Sequence, residues 1–288
     1  MTVDAHAHLT VDDPRYPTAP LRGTLEPGVL DAPVTAERLL SMMDEQGVSH
    51  AVAVQRAHVF GYDNSYVLDS ARRHRARLAA VCVLDADRPE AAEHATKLAA
   101  AGAVAMRFTT PNGTPDGGQS GTGWFAGDHA ARVWARAADL GLSLCLHLYR
   151  WNRTESLAAL GPMMRRFPDV DVVVDHAASV DLPSGAGAED LLRLADLPRL
   201  HVKVTTLNGV RLRRQAADPA SLVAWLVSRF GARRVLWGSD ITQTRLPYPE
   251  MAELARASVR TLPEPDAHAV LRGTALALYF AGASTPDP

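Results

Sequence analysis

The run Val3-Asp4-Ala5-His6-Ala7-His8 starts apolar and ends in His-X-His. On a β-strand, side chains two residues apart project from the same face, so His6 and His8 would stand together at a strand end. Paired imidazoles in that position begin a divalent-metal site. Three further residues of the right kind each close an apolar run of their own. His147 follows Leu144-Cys145-Leu146, His176 follows Val172-Val173-Val174-Asp175, and Asp240 follows Val235-Leu236-Trp237-Gly238-Ser239. Any one of the eleven histidines, taken singly, reads more simply as a structural side chain. Recurrence at several separate strand ends is harder to explain that way and points to an enzyme. The expected site holds one divalent ion among His6, His8, His147, His176 and Asp240, and imidazole with carboxylate suits zinc.

Positioning such residues requires strands that all end on one side. Apolar runs predict strands over Thr2–Ala7, His50–Gln55, Leu78–Leu84, Val104–Phe108, Ser143–Leu148, Val170–Asp175, His201–Thr205 and Val235–Gly238. Amphipathic stretches between them predict helices over Thr35–Gln46, Asn64–His74, Pro89–Ala101, Asp128–Leu140, Thr154–Phe167, Ala188–Leu194, Ser221–Phe230 and Tyr248–Arg260. Asp63 and Asp128 stand where helix N-caps belong, and Thr35 offers a partial one. Strict alternation predicts a parallel sheet closed as a (β/α)8 barrel, one α/β domain over residues 1–288. An open doubly wound sheet is the alternative, but no glycine-rich phosphate loop follows the first strand. Long segments follow strands at Leu9–Val34, Thr109–Gly127 and Ala178–Gly187, where a barrel builds its active site. Glu264–Phe280 reads as a final helix on the outside.

Composition removes several classes. A formal net charge of −2 gives no electrostatic argument for nucleic acid or an anionic membrane. No apolar run approaches the roughly 20 residues of a membrane span, and no basic-then-apolar leader opens the sequence, so a cytoplasmic protein is expected. Cys82 and Cys145 lie inside apolar runs and read as buried, reduced thiols.

Beyond these residues, the sequence resembles the amidohydrolase superfamily, in the branch that joins 2-pyrone-4,6-dicarboxylate and sugar lactonases with metal-dependent decarboxylases. The resemblance rests on Val3–His8, Met106-Arg107-Phe108, Val174-Asp175-His176 and Leu236–Asp240. Asn64-Ser65-Tyr66 and Arg272-Gly273-Thr274-Ala275 add to it. It implies that Asp240 is the general base for a hydrolytic water, with His176 beside it in the catalytic set. It also implies that His147 and His176 occupy ligand positions of the metal-binding members, whereas the nearest lactonases work without metal and use the same histidines to hold substrate. His147 favours the metal-binding members.

Arg107 ends the fourth strand, where a guanidinium either grips a substrate carboxylate or pairs with a loop acid. Tyr149 is expected to touch substrate. Gln55 and Arg56, Arg150, Trp124 and Trp151 also stand where loops would line a pocket. Lys203, between Val202 and Val204, points into the barrel and should pair with an interior acid such as Asp175. No lysine stands where carbamylation would bridge two metals. The expected activity is hydrolysis of a lactone, or a related ester or amide, of a small carboxylated substrate. A non-oxidative decarboxylase on the same site is the second reading, and a catalytically silent ligand-binding barrel the third. A homo-oligomer is compatible with all three.

Overall fold

A computed structural model describes residues 1–21, 23–109 and 121–281. Each apolar run becomes a strand: β1 (Thr2–Ala7), β2 (Val48–Val54), β3 (Leu78–Val83), β4 (Ala103–Thr109), β5 (Ser143–His147), β6 (Val172–Val174), β7 (Leu200–Thr205) and β8 (Val235–Gly238). They pair in parallel in sequence order. Just beyond β8, Asp240 N donates to His6 O at 2.7 Å and Ile241 bridges to Ala7, which brings the last strand back to the first. Helices alternate with the strands, so the architecture is the (β/α)8 barrel that the alternation predicts.

Strand interiors read as continuous apolar runs because both faces are covered. Val3, Ala5, Val52, Val54, Val81, Ala105, Cys145, Val173 and Leu236 pack together inside the barrel. The larger cluster lies between strands and helices, with Leu39, Met43, Trp134 and Leu226 facing the sheet. The last helix departs from expectation. A π-turn at Ala269–Gly273 separates Glu264–His268 from Thr274–Tyr279. Ala275, Tyr279 and Phe280 then join the barrel-interior cluster, so the chain's final helix plugs the end opposite the active site rather than lying wholly outside.

Local signals are mixed. Thr35 Oγ1 accepts from Arg38 N at 3.2 Å as an N-cap should. Asp63, expected to cap, stands one residue before the N-cap Asn64 of the helix Ser65–Arg73, although its Oδ1 accepts from Ser65 N at 2.9 Å. Asp128, expected to cap, is the first residue of Asp128–Leu140, and Gly127 stands at the cap position. Helices at Ala57–Phe60, Gly123–Ala126 and Thr206–Arg214 were not foreseen; the last begins at the end of β7 through a capping box of Thr205 and Asn208. Most of the Thr109–Gly127 loop lies outside the described residues. Among the described residues no helix is long and apolar enough to cross a membrane.

Candidate active site

Strict alternation along β1 would put His6 on the face of Asp4, away from Val3 and Ala5. The strand avoids this through a register irregularity between Asp4 and Ala7. Asp4 turns outward, where Oδ1 accepts from His6 N at 3.1 Å and Ser239 N at 2.8 Å and Oδ2 accepts from Tyr248 OH at 3.1 Å. His6 turns inward behind Ala5, and His8 follows it. Their Nε2 atoms stand 3.2 Å apart.

Asp240 reaches the same point from β8. Its carboxylate Oδ1 lies 3.7 Å from His6 Nε2 and 3.5 Å from His8 Nε2. Oδ2 accepts from Thr244 Oγ1 at 2.8 Å, while Oδ1 is buried with no hydrogen-bond partner. A backbone φ of 58° aims this side chain, a conformation Asp tolerates better than most residues.

His176 arrives by a different device. After β6 the backbone runs through four consecutive left-handed residues, His176, Ala177, Ala178 and Ser179, with φ of 54°, 50°, 50° and 55°. None is glycine, and each such residue costs roughly 1–2 kcal/mol. Surrounding contacts hold the turn: Asn208 Nδ2 donates to His176 O at 2.9 Å, Ser179 Oγ to Leu148 O at 3.0 Å, and Arg153 Nη1 to Ser179 O at 2.5 Å. Strain of this kind persists where the surroundings over-determine it. Thr205 Oγ1 lies 2.7 Å from His176 Nδ1, which directs the opposite nitrogen toward Asp240.

His6, His176 and Asp240 offer ligand atoms within 4.8 Å of one another. The separations of 3.2, 3.5 and 3.7 Å among His6, His8 and Asp240 are close to the edge of a tetrahedron, about 3.3 Å, for ligands bound at 2.0–2.1 Å. With an orphaned carboxylate oxygen at the same point, the donors fit a divalent ion. His147 stands further out. Its ring lies 5.0 Å from that of His176 and 4.4 Å from that of Tyr149, and Nδ1 has no partner. Burial keeps all four imidazoles neutral, with His6 and His176 lowered to about 3 and His8 and His147 well below the ordinary value.

Beneath the histidines lies an ionic cluster. Asp175 takes Lys203 Nζ on Oδ1 at 3.0 Å and Arg107 Nε on Oδ2 at 2.8 Å. Burial raises the Asp175 carboxyl, but Lys203, His6 and Arg107 together hold it well below the carboxylate range. The interior partner foreseen for Lys203 is therefore Asp175. For Arg107 the two readings merge, since Nε pairs with an acid of the barrel, not of a loop, while the residue still lines the cavity.

That cavity, about 520 Å³, is lined by His8, His147, His176 and Asp240 with Arg56, Arg107, Arg150 and Arg211. Tyr149 and Trp151 line it as expected, but Gln55 and Trp124 do not. Gln55 is turned to the Gly61 and Asp63 carbonyls, and Trp124 packs against Phe125. Arg211, Leu207 and Gln243 were missed. Leu207 and Arg211 are four apart on Thr206–Arg214 and share a helix face, which only the Thr205-X-X-Asn208 cap could have signalled. Cys82 and Cys145 are buried free thiols that do not line the cavity, and burial pushes Cys82 up to about 12.

Comparison with known proteins agrees with this fold. A solved Acinetobacter baumannii protein, called a probable 2-pyrone-4,6-dicarboxylic acid hydrolase and holding citric acid, is similar with a TM-score of 0.76 and 19% identity over 96% of this chain and 98% of that one. A Pseudomonas putida protein provisionally given the same activity has a TM-score of 0.70 and 23% identity over 96% of each chain. The 2,6-dihydroxybenzoate decarboxylase from Rhizobium gives 0.69 and 13% over 96% and 98%. Among curated sequences none matches. The amidohydrolase family model matches residues 3–281, nearly the whole sequence, and the chain belongs to that family.

Proposed function

We propose that the protein is a hydrolase that opens a lactone, or cleaves a related ester or amide, of a small substrate carrying more than one carboxylate. One observation carries this reading: four arginines line a cavity in which, among the described residues, the one lining carboxylate is Asp240, its Oδ1 without a hydrogen-bond partner. Guanidinium groups suit carboxylates because their paired N–H donors match the two oxygens. The citric acid held by the Acinetobacter baumannii protein is a ligand of the same chemical class.

Asp240 accepts the proton of the attacking water through Oδ1, while Thr244 holds Oδ2 and keeps the carboxylate oriented. Water oxygen bonds to the carbonyl carbon, the ring carbon–oxygen bond breaks, and Asp240 returns the proton to the departing oxygen. His147, beside Tyr149 at the mouth, faces the substrate, and His176 stands next to the general base. His6, His8, His176 and Asp240 would hold one divalent ion, with zinc suited to that donor set. When bound, the ion polarises the carbonyl and lowers the pKa of water.

Decarboxylation is a second reading, favoured by the same near-tetrahedral donor spacing, since a metal at that point would also hold a carboxylate about to leave. Incubation with carboxylated lactones, beginning with 2-pyrone-4,6-dicarboxylate, tests the proposal by loss of the ring chromophore. Ring opening that disappears in Asp240→Asn supports it. Carbon dioxide release without hydrolysis would move the assignment to decarboxylase.

A further inference from the structure

The four arginines that line the cavity are not equivalent. Arg107 has the Asp175 carboxylate on its Nε. Arg150 is exposed and Arg211 half-buried, so water reaches both. Arg56 is only 2% exposed. Among the described residues its side chain makes one hydrogen bond, from Nη1 to the neutral Oε1 of Gln243 at 3.0 Å, and its Nε is buried without an acceptor. The acids that could serve it are turned elsewhere. Glu26 pairs with Arg245, and Asp240 gives Oδ2 to Thr244 and faces His6 and His8 with Oδ1. A guanidinium keeps its charge and offers five N–H donors, so burying one beside a single amide is costly. The cavity it lines is where a counter-charge can reach it.

Topology separates Arg56 from two of the others. It follows β2 and bonds to Gln243 in the segment after β8. In a closed barrel of this strand order, β6 lies across from β2. Arg150 follows β5 and Arg211 lies on the helix after β7, the two strands that flank β6. Burial and then the neighbouring Arg150 lower the Arg211 guanidinium from its ordinary value, so these two form a common positive pole. The cluster of His6, His176 and Asp240 gathers from the ends of β1, β6 and β8 and so occupies the middle.

We propose that Arg56 is a specificity-determining residue that seats one substrate carboxylate at the β2 wall of the cavity. Arg150 and Arg211 seat a second across the mouth, so the two carboxylates lie on either side of the group that reacts. The substrate's first anion supplies the counter-charge that the fold withholds from Arg56. This deepens the hydrolase reading above and rests on it for the reacting group, yet ligand binding is measured without turnover, so the two readings fail separately.

Calorimetric titration of the full chain with isophthalate and with benzoate provides the test, since the two differ by one carboxylate on the same ring. The unsubstituted protein is expected to bind isophthalate roughly tenfold or more tightly than benzoate, the scale of one hydrogen-bonded charge pair. Arg56→Gln should lose that advantage and bind the two alike, and so should the double variant Arg150→Gln/Arg211→Gln. Gln243→Ala, which removes the amide but leaves the guanidinium, should keep it. No advantage in the unsubstituted protein, or one that survives Arg56→Gln, overturns the proposal. Stability separates a binding role from a structural one. Removing a buried cation without a counter-ion should leave the urea midpoint of Arg56→Gln no lower than that of the unsubstituted protein. A variant that is clearly less stable or fails to fold would make Arg56 a structural cation and overturn the assignment.

Discussion

A Cβ built on Gly238 would stand 2.4 Å from the Cβ of His6 and 2.7 Å from its backbone nitrogen. The first and last strands therefore approach as closely as a missing side chain permits, and the same contact that closes the barrel seats the first candidate ligand. Gly238→Ala must push β1 and β8 apart. A cost of about 1–3 kcal/mol in urea unfolding is expected, as for overpacking elsewhere, with lost activity from displacement of His6. Unchanged stability would show that the seam yields more easily than its geometry implies.

Asp240→Asn should leave fold and substrate binding intact while reducing turnover by at least the 10²–10⁴-fold of general-base catalysis. Asparagine tolerates the positive φ and still accepts from Thr244, so the fold is kept while the carboxylate oxygen that accepts the proton and faces the ion site is lost. Circular dichroism checks the fold, and kcat near that of the unsubstituted enzyme would remove Asp240 from its role.

Arg107 both anchors Asp175 and faces the cavity, so lysine cannot replace it in both tasks. Losing a charge-assisted contact to a desolvated anion costs about 2–4 kcal/mol, so Arg107→Lys should lower kcat/KM by roughly 30-fold to several hundred-fold. Retention of full efficiency on the substrate would leave Arg107 with the structural pairing alone.

Protein prepared without chelator should carry close to one divalent ion per chain by elemental analysis, and chelation should abolish turnover. Readdition of zinc restores it. Full activity after complete metal removal would assign the histidines to holding the substrate carbonyl directly.

The buried imidazoles set an acid limit on the metal-free protein. With folded values depressed, to about 3 for His6 and His176, each histidine binds its proton in the unfolded chain first. Their contribution is complete above about 6.5 and is lost as pH falls from there toward 3. Stability should fall by up to about 1.4 kcal/mol per pH unit for each such histidine. Urea midpoints of chelated protein at pH 7.5, 6.0 and 5.0 measure this slope, and His176→Asn should make it shallower. Asp175, with its value depressed, contributes stability above about 3.9 and loses it only at lower pH.

Much of this molecule was legible in one dimension. Alternation of apolar runs with amphipathic stretches reports which residues are buried, and that local fact is enough for eight strand–helix units and for His6, His8, His147, His176 and Asp240 near one face. An inward Lys203 between outward valines needed an acid, and Asp175 meets it. What the sequence could not show depends on contacts between distant residues. His6 faces inward only because Asp4 turns out to Ser239, 235 positions away, and shifts the register of β1. His176 adopts a left-handed turn with no glycine to mark it, because Thr205, Asn208 and Arg153 hold it there. Arg211 reaches the cavity from a helix whose polar composition hid it, and the final helix closes the barrel floor because Tyr279 finds Cys145. Periodicity encodes burial, but register, strain and closure are decided only when the strands meet.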